Sequence, residues 1–383
     1  MVLQQGSITD EGVEQLRARL GSYVRTRQYG TGPWNTEVTR DNIRHYCYGI
    51  GDDNPLWLDA EYACKTRWGG IIAPPSFLYS VYWCSGRVGG LPGVHGFHAG
   101  NDWQFLQPMM VGDRITVQEQ FSDLKVKQSE FAKRIVLTYS VATYRNQRGE
   151  DVARCKGWQV RAERAAARER AKYTGIERHA YTPEQLKGIE EETLGEEVRG
   201  AEPRFWEDVH VGDAIKPVVK GPLSQGDLLT FVAGTLGGLS HRMALKEFRR
   251  HPAWGFRDPD TGALEAIARV HERGAAAQGT GIPAAYDFGC QRMSWLSHVV
   301  TNWMGVDAFL KRLYGELRRF NVVGDTTWVR GKIVKKYRGG DGGASGGCFA
   351  VTSCQGSLPS AVGWLAAALA LVAGAVLRGR RGR

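Results

Sequence analysis

The sequence predicts an α+β protein assembled from two related halves, on three observations. A segment from Val38 to Asp59, leading to a Val111-Gly112-Asp113 turn, is echoed by Leu223 to Gly234, leading to a turn at Val323-Gly324-Asp325. Within the first half a helical period gives way to short runs of alternating apolar and polar residues, the order of a helix followed by antiparallel strands. A charged, helix-forming stretch over 163–200 separates this half from the next. Self-similarity at so long a period points to two supersecondary units packed on each other, with a ligand site in or beside their seam.

Each element follows in order. Val13, Leu16 and Leu20 have helical spacing and predict an entry helix within 9–28, ending near the Gly-rich Gly30 to Pro33. Thr39 is a candidate N-cap for a short helix over Asp41 to Tyr48, after which Gly51-Asp52-Asp53-Asn54-Pro55 must turn. Pro74 and Pro75 stand at the start of an apolar helix, Ser76 to Cys84. Residues 103–162 alternate and predict antiparallel strands, with a hairpin turn at Asn146 to Gly149. Thr182-Pro183-Glu184-Gln185 starts the connector helix.

The second half begins at Arg204-Phe205-Trp206. It runs 97 residues from Asp227 to Gly324, against 70 from Asn42 to Gly112, which places an insertion of about 27 residues within His241 to Ala268. Strand pattern stops at Tyr337, so the closing strands of the second unit are expected to be absent. The resulting division is 1–175 for the first unit, 176–203 for the linker, 204–338 for the second unit, 339–360 for a Gly-rich linker and 361–383 for an apolar helix with a basic end.

The 383 residues are 42% hydrophobic, a globular composition with room for sizeable cores. A net charge of +10 suggests an anionic partner. The basic residues are interleaved with acids, as in Arg161 to Lys172, which reads as a solvated helix face and not a nucleic-acid stripe, so a phosphorylated small molecule is the favoured partner. The seven cysteines show no CxxC pair and no zinc spacing, and read as reduced thiols. The N-terminus has acidic residues and no apolar core of a secretory signal, so the expected location is the cytoplasm. Ala361 to Leu377 is 17 residues without a charge, followed by an Arg cluster. It reads either as a short membrane anchor, making the protein membrane-associated, or as an incidental Ala/Gly/Arg-rich end.

Several segments carry a family resemblance. Tyr46 to Asp59 contains Gly51-Asp52-Asp53-Asn54-Pro55-Leu56-Trp57-Leu58-Asp59, similar to a Gly-Asp-x-Asn-Pro-x-His-x-Asp hydratase motif. Gly69 to Pro75, Gly100-Asn101-Asp102-Trp103, Gly281 to Gly289 and Leu296 to Gly305 add matches in the same order. Over roughly 9–338 the chain resembles the MaoC-like acyl-CoA hydratases and dehydratases, especially the branch with an N-terminal MaoC-like dehydratase domain. The resemblance implies a double hotdog fold, each unit an antiparallel sheet wrapped around a central helix. It implies reversible addition of water to a trans-2-enoyl-CoA, giving a 3-hydroxyacyl-CoA, by a hydro-lyase of fatty acid metabolism that forms a homo- or hetero-oligomer. CoA enters as part of the substrate and no cofactor is implied; nothing resembles a dinucleotide fingerprint or a metal cluster.

Hydration needs groups that orient one water and move its proton to C2, and an N–H facing the thioester oxygen where negative charge gathers. Asp52 matches the family's Asp, with Asn54 beside it, but Trp57 replaces the His, and Pro74-Pro75 replaces the loop Gly whose N–H would serve an oxyanion. The first half therefore reads as a degenerate site. In the second half the resemblance assigns His271 as general acid/base and Gly289 as oxyanion donor, with Glu265 or Asp287 in the carboxylate role because Ala266 stands at the family's Asp position. Tyr286 and Arg292 are candidate substrate contacts, Arg292 for the CoA phosphates. His241 and His298 read as structural. A non-catalytic acyl-CoA-binding subunit and a hotdog thioesterase are the alternative readings.

Overall fold

The computed structural model describes residues 5–24, 33–129, 133–166, 179–236, 241–258, 260–338, 345–355 and 372–377. Helix α1 (Asp10–Arg17) is capped by Thr9 and buries Val13 and Leu16. It stops short of the expected length because Gly21, at φ 83°, turns the chain so that its N–H reaches the Phe121 carbonyl, leaving Leu20 40% exposed. Helix α2 (Arg40–Ile50) starts on the Thr39 hydroxyl, which accepts from the Asn42 N–H at 3.1 Å, and ends at Gly51 in the left-handed region. Short helices α3 (Pro55–Leu58) and α4 (Ala60–Cys64) follow, then a 3-10 turn over Pro75–Phe77 and α5 (Leu78–Val81). The apolar helix read at 76–84 is thus shorter, since the chain is already extended at Tyr82.

Strands β1 (Val94–Phe105), β2 (Thr116–Ser129), β3 (Lys133–Arg145) and β4 (Asp151–Glu163) form the first unit's antiparallel sheet. The connector carries α6 (Pro183–Leu194), opened by a reciprocal Thr182–Gln185 capping box. The second unit holds β5 (Ala214–Lys220), α7 (Gln225–Phe231), α8 (His241–Arg250), the hairpin β6 (Gly255–Arg257) and β7 (Leu264–Ala266), a 3-10 turn Ile267–His271, α9 (Gly274–Gln278) and α10 (Gly289–Met304). Strands β8 (Phe309–Glu316), β9 (Thr327–Arg338), β10 (Ser345–Gln355) and β11 (Val372–Leu377) complete it.

All but the small hairpin join in one sheet of order β2-β3-β4-β1-β8-β11-β10-β9-β5. The halves meet where β1 pairs antiparallel with β8, from Gly100 opposite Glu316 to Gln104 opposite Arg312, and Arg312 makes two 2.8 Å hydrogen bonds to Asp102 there. Two expectations are corrected. The closing strands are present, because β11 pairs with both β8 and β10. The apolar run expected as a helix over 361–377 ends as that strand, with 361–371 outside the described residues. A short apolar run has the same periodicity in a buried strand as in a buried helix, so its pairing partners decide between them. Among the described residues no helix is long and apolar enough to cross a membrane.

Every residue of α10 from Cys290 to Met304 is buried, as expected of a helix with the sheet on one side and helices on the other. The hydroxyl of Tyr46 in α2 lies 2.7 Å from the Ser76 carbonyl and 2.8 Å from Ser294 Oγ in α10, so one buried side chain ties both central helices together. The main core spans both halves and contains Trp57, Trp83, Trp103, Trp295 and Trp303. Of the described cysteines Cys47, Cys84, Cys155 and Cys290 are buried free thiols.

Candidate active site

A cavity of about 970 Å³ lies at the seam. The bulged end of β1 and the loop before it form one wall, the start of α10 and the 3-10 turn ending at His271 form another, and Arg250 to Trp254 of the inserted segment close a third side. The connection from Tyr286 to Gly289 is held by two backbone links to the loop after β8, Asp287 N–H to the Asn321 carbonyl at 2.9 Å and Val323 N–H to the Ala285 carbonyl at 2.9 Å.

His271, Tyr286, Asp287, Gly289 and Arg292 all line this cavity. His271 Nδ1 lies 2.8 Å from the Tyr286 carbonyl. A carbonyl only accepts, so Nδ1 carries the hydrogen and Nε2 the lone pair. The ring stacks on Phe288 at 3.8 Å between centroids and meets Tyr286 edge-on. Burial lowers its pKa to about 4, so the imidazole is neutral at physiological pH. Gly289 begins α10, where the first N–H groups of a helix lack intrahelical acceptors.

Asp287 is fully buried and bound on both oxygens by Arg292, Nε to Oδ2 at 2.8 Å and a second, shorter bond from Nη2 to Oδ1, with Asn321 Nδ2 adding a contact at 3.4 Å. Burial raises its pKa even with Arg292 alongside. Arg292 in turn donates to the Arg319 carbonyl at 2.6 Å. Glu265, the other candidate carboxylate, sits on β7 and pairs with Arg269 at 3.3 Å, away from the cavity lining. The cavity's basic character comes from both halves. Arg161, donating to the carbonyls of Gly89, Gly90 and Leu91, is lowered to about 10 by burial and by Arg87 and Arg19, and burial also lowers Arg164.

Asp52 and Asn54 are not brought to this cavity. Asp52 accepts the Asn54 N–H and the Trp57 indole N–H, each at 3.1 Å, while the Asn54 side chain caps α3 by accepting from Leu56 N–H at 3.0 Å. Asn54 and Trp57 line a separate, nearly closed space of about 20 Å³. Asp52 instead faces His298 of α10, whose Nε2 is 3.6 Å from Asp52 and 2.7 Å from Glu196. Asn302 also donates to Glu196, at 2.7 Å, and Lys220 lies 4.0 Å from it. Burial alone would raise Glu196, but His298, Lys220 and Asn302 bring it down to about 2. His298, read as structural, thus sits in a buried ionic knot joining the linker to both halves. Sequence reasoning missed two residues of the seam cavity, His95 and His98, whose place on β1 becomes visible only when β1 is laid beside α10. Among the described residues no cluster of three or more His, Cys, Asp or Glu side chains is placed to hold a metal ion.

Residues 25–155 match a family described as FAS1-like, dehydratase domain region. A UPF0336 protein of Streptomyces griseus is 33% identical over 95 residues, 23% of this chain and 63% of its own length. One of Streptomyces avermitilis is 30% identical over 110 residues, 27% of this chain and 72% of its own. The chain thus spans about two thirds of the length of these relatives. A Thermomonospora curvata protein named "Probable enoyl-CoA hydratase alpha subunit" is 26% identical over 158 residues, 37% of this chain and 48% of that protein. Among solved structures a MaoC-like dehydratase superposes with a TM-score of 0.60 at 17% identity, covering 95% of this chain and 100% of that one. A Mycobacterium tuberculosis protein described as having a double hotdog fold gives 0.50 at 12%, covering 98% and 96%. At these identities the two structures speak for the fold, which is the double hotdog of two sheet-wrapped helices described above. The chain belongs to the UPF0336 family, matches a FAS1-like dehydratase domain region over residues 25–155 and has the double hotdog fold.

Proposed function

We propose that the protein is a hydro-lyase that reversibly adds water to a trans-2-enoyl-CoA, giving the 3-hydroxyacyl-CoA. The observation that carries this reading is the seam cavity, where a neutral imidazole, the open N-terminus of a buried helix and buried arginines converge on one space large enough for an acyl thioester. The name of the Thermomonospora curvata relative points the same way.

In the hydration direction His271 Nε2 takes a proton from water as its oxygen attacks C3, then delivers it to C2. The Tyr286 carbonyl, holding Nδ1–H, orients the ring and stabilises the transient imidazolium. The N–H of Gly289 faces the thioester oxygen as enolate charge gathers on it. Asp287 holds Arg292 at the wall and leaves the proton transfer to His271. Arg161, Arg164 and Arg292 favour the anionic CoA portion, and Tyr286 packs along the acyl chain. Glu265, spent on Arg269, takes no part.

Loss of enoyl-thioester absorbance on adding the full chain to short, branched and ring-bearing enoyl-CoAs tests the reading. Turnover that disappears in His271→Ala supports it; turnover unchanged in that variant removes His271 from the mechanism. One observation favours a second reading, a non-catalytic acyl-CoA-binding subunit: both candidate carboxylates are engaged by arginines. Binding of CoA esters without turnover, with activity regained on adding a partner chain, would select it.

A further inference from the structure

A β-bulge interrupts β1 between His98 and Gly100, where its register against β4 slips. Bulges beside functional sites re-aim a side chain. Here the His98 imidazole crosses the seam onto Gly289, where an added Cβ would collide with His98 Nδ1. His98 Nε2 lies 3.2 Å from the Gly100 carbonyl. That oxygen only accepts, so Nε2 carries the hydrogen and Nδ1 is a lone pair. Nδ1 is buried and has no hydrogen-bond partner among the described residues. An unsatisfied buried acceptor in a native fold calls for a reason. Burial, reinforced by the charge of Arg292, lowers the ring to about 4 against the support of Asn101 and Gly100, so it is neutral at physiological pH.

The ring lines the same cavity as His271 and Gly289. The carboxylates that line it are engaged by arginines, Asp287 by Arg292 and Glu272 by Arg269. We propose that His98 is a catalytic residue contributed by the first half, its Nδ1 accepting a hydrogen bond from the reacting water and later from the 3-hydroxyl group. The proposal rests on the hydratase reading. In the balanced step the water oxygen bonds to C3, and the C2=C3 π pair moves toward the thioester oxygen facing Gly289. One water proton passes to His271 Nε2 and from there to C2. The other stays on oxygen and is donated to His98 Nδ1, in the ring that lines the cavity beside Gly289. His98 itself gains and loses no proton.

The test uses the full chain. His98→Leu, of similar bulk, should lower kcat by about 100-fold with KM and Tm little changed. His98→Asn, which keeps an acceptor near the Nδ1 position, should restore kcat to within about tenfold of wild type. Separately, 15N NMR of imidazole-labelled protein should show the His98 Nδ1 resonance move with 3-hydroxybutanoyl-CoA or 3-hydroxydecanoyl-CoA, and not with the butanoyl or decanoyl esters that lack the hydroxyl. Full kcat in His98→Leu, or no hydroxyl-dependent movement, overturns the proposal. A wild-type protein that hydrates no enoyl-CoA yet shows the movement keeps His98 as a hydroxyl acceptor and overturns the hydratase reading instead.

Discussion

Trp57, which stands where the motif resemblance expects a histidine, donates its one N–H to Asp52, at 3.1 Å. An indole neither accepts nor delivers a proton, so here it leaves the carboxylate satisfied and serves as a packing element. Trp57→His would rebuild the motif in sequence yet place a smaller ring in the core. We expect no gain of turnover and a loss of about 2 to 4 kcal/mol in denaturant unfolding. His271 is the opposite case, a histidine read from the sequence and found on the cavity. Held at about 4 by burial, it is deprotonated and competent as a base down to acidic pH. In the proposed reaction the neutral form is the active one, so kcat/KM for hydration should stay level through pH 6.5 and fall only as pH drops toward 4. An acid limb centred near 6.5 would contradict this. His271→Ala should reduce kcat by about 10²- to 10⁴-fold with the fold intact by circular dichroism.

Among elements, α10 carries the most consequence, because its start lines the cavity, where the proposed reaction takes its oxyanion donor, and its middle reaches the buried knot at His298. The Asp287–Arg292 pair spans that start and is buried on both sides. Replacing Arg292 by Met leaves Asp287 buried and unpaired, and should cost about 3 to 5 kcal/mol, measurable as a shift in the urea midpoint. Thr39, Thr182 and the Pro74-Pro75 start were legible because capping and proline chemistry act within a few residues of sequence. The tail was not. Val372–Leu377 is apolar, but its state depends on the free edges of β8 and β10, which lie far away in sequence. Deleting residues beyond 338 would expose those strand edges, and the shortened chain should aggregate or elute at high mass in size-exclusion chromatography.

For the whole molecule, pH should act through the seam. Glu196 is depressed from 4.5 to about 2, so its stabilisation is present above pH 4.5 and is lost as pH falls from 4.5 toward 2. His271 and His98 are depressed from 6.5 to about 4, so the unfolded chain binds their protons first, and stability also declines as pH falls from 6.5 to 4. Thermal melts should therefore weaken in two stages below neutrality. Glu196→Gln should remove the lower stage only; a melt profile unchanged in that variant would mean that the knot carries no acid lability.

The sequence by itself determined the α+β class, the double unit, the helix starts at Thr39 and Thr182, and His271, Gly289, Tyr286, Asp287 and Arg292 as residues that meet in one place. These rest on local periodicity, local hydrogen bonding and motif order, all of which a linear chain displays. The tertiary structure alone decided that Asp287 lies buried on the cavity while Glu265 stands on β7 away from its lining. It alone separated Asp52 and Asn54 from the cavity, set Asp52 against His298, and brought His98 from one half onto Gly289 of the other. Those contacts join residues more than a hundred positions apart, and the closing of the sheet between β1 and β8 is what puts them within reach of one another.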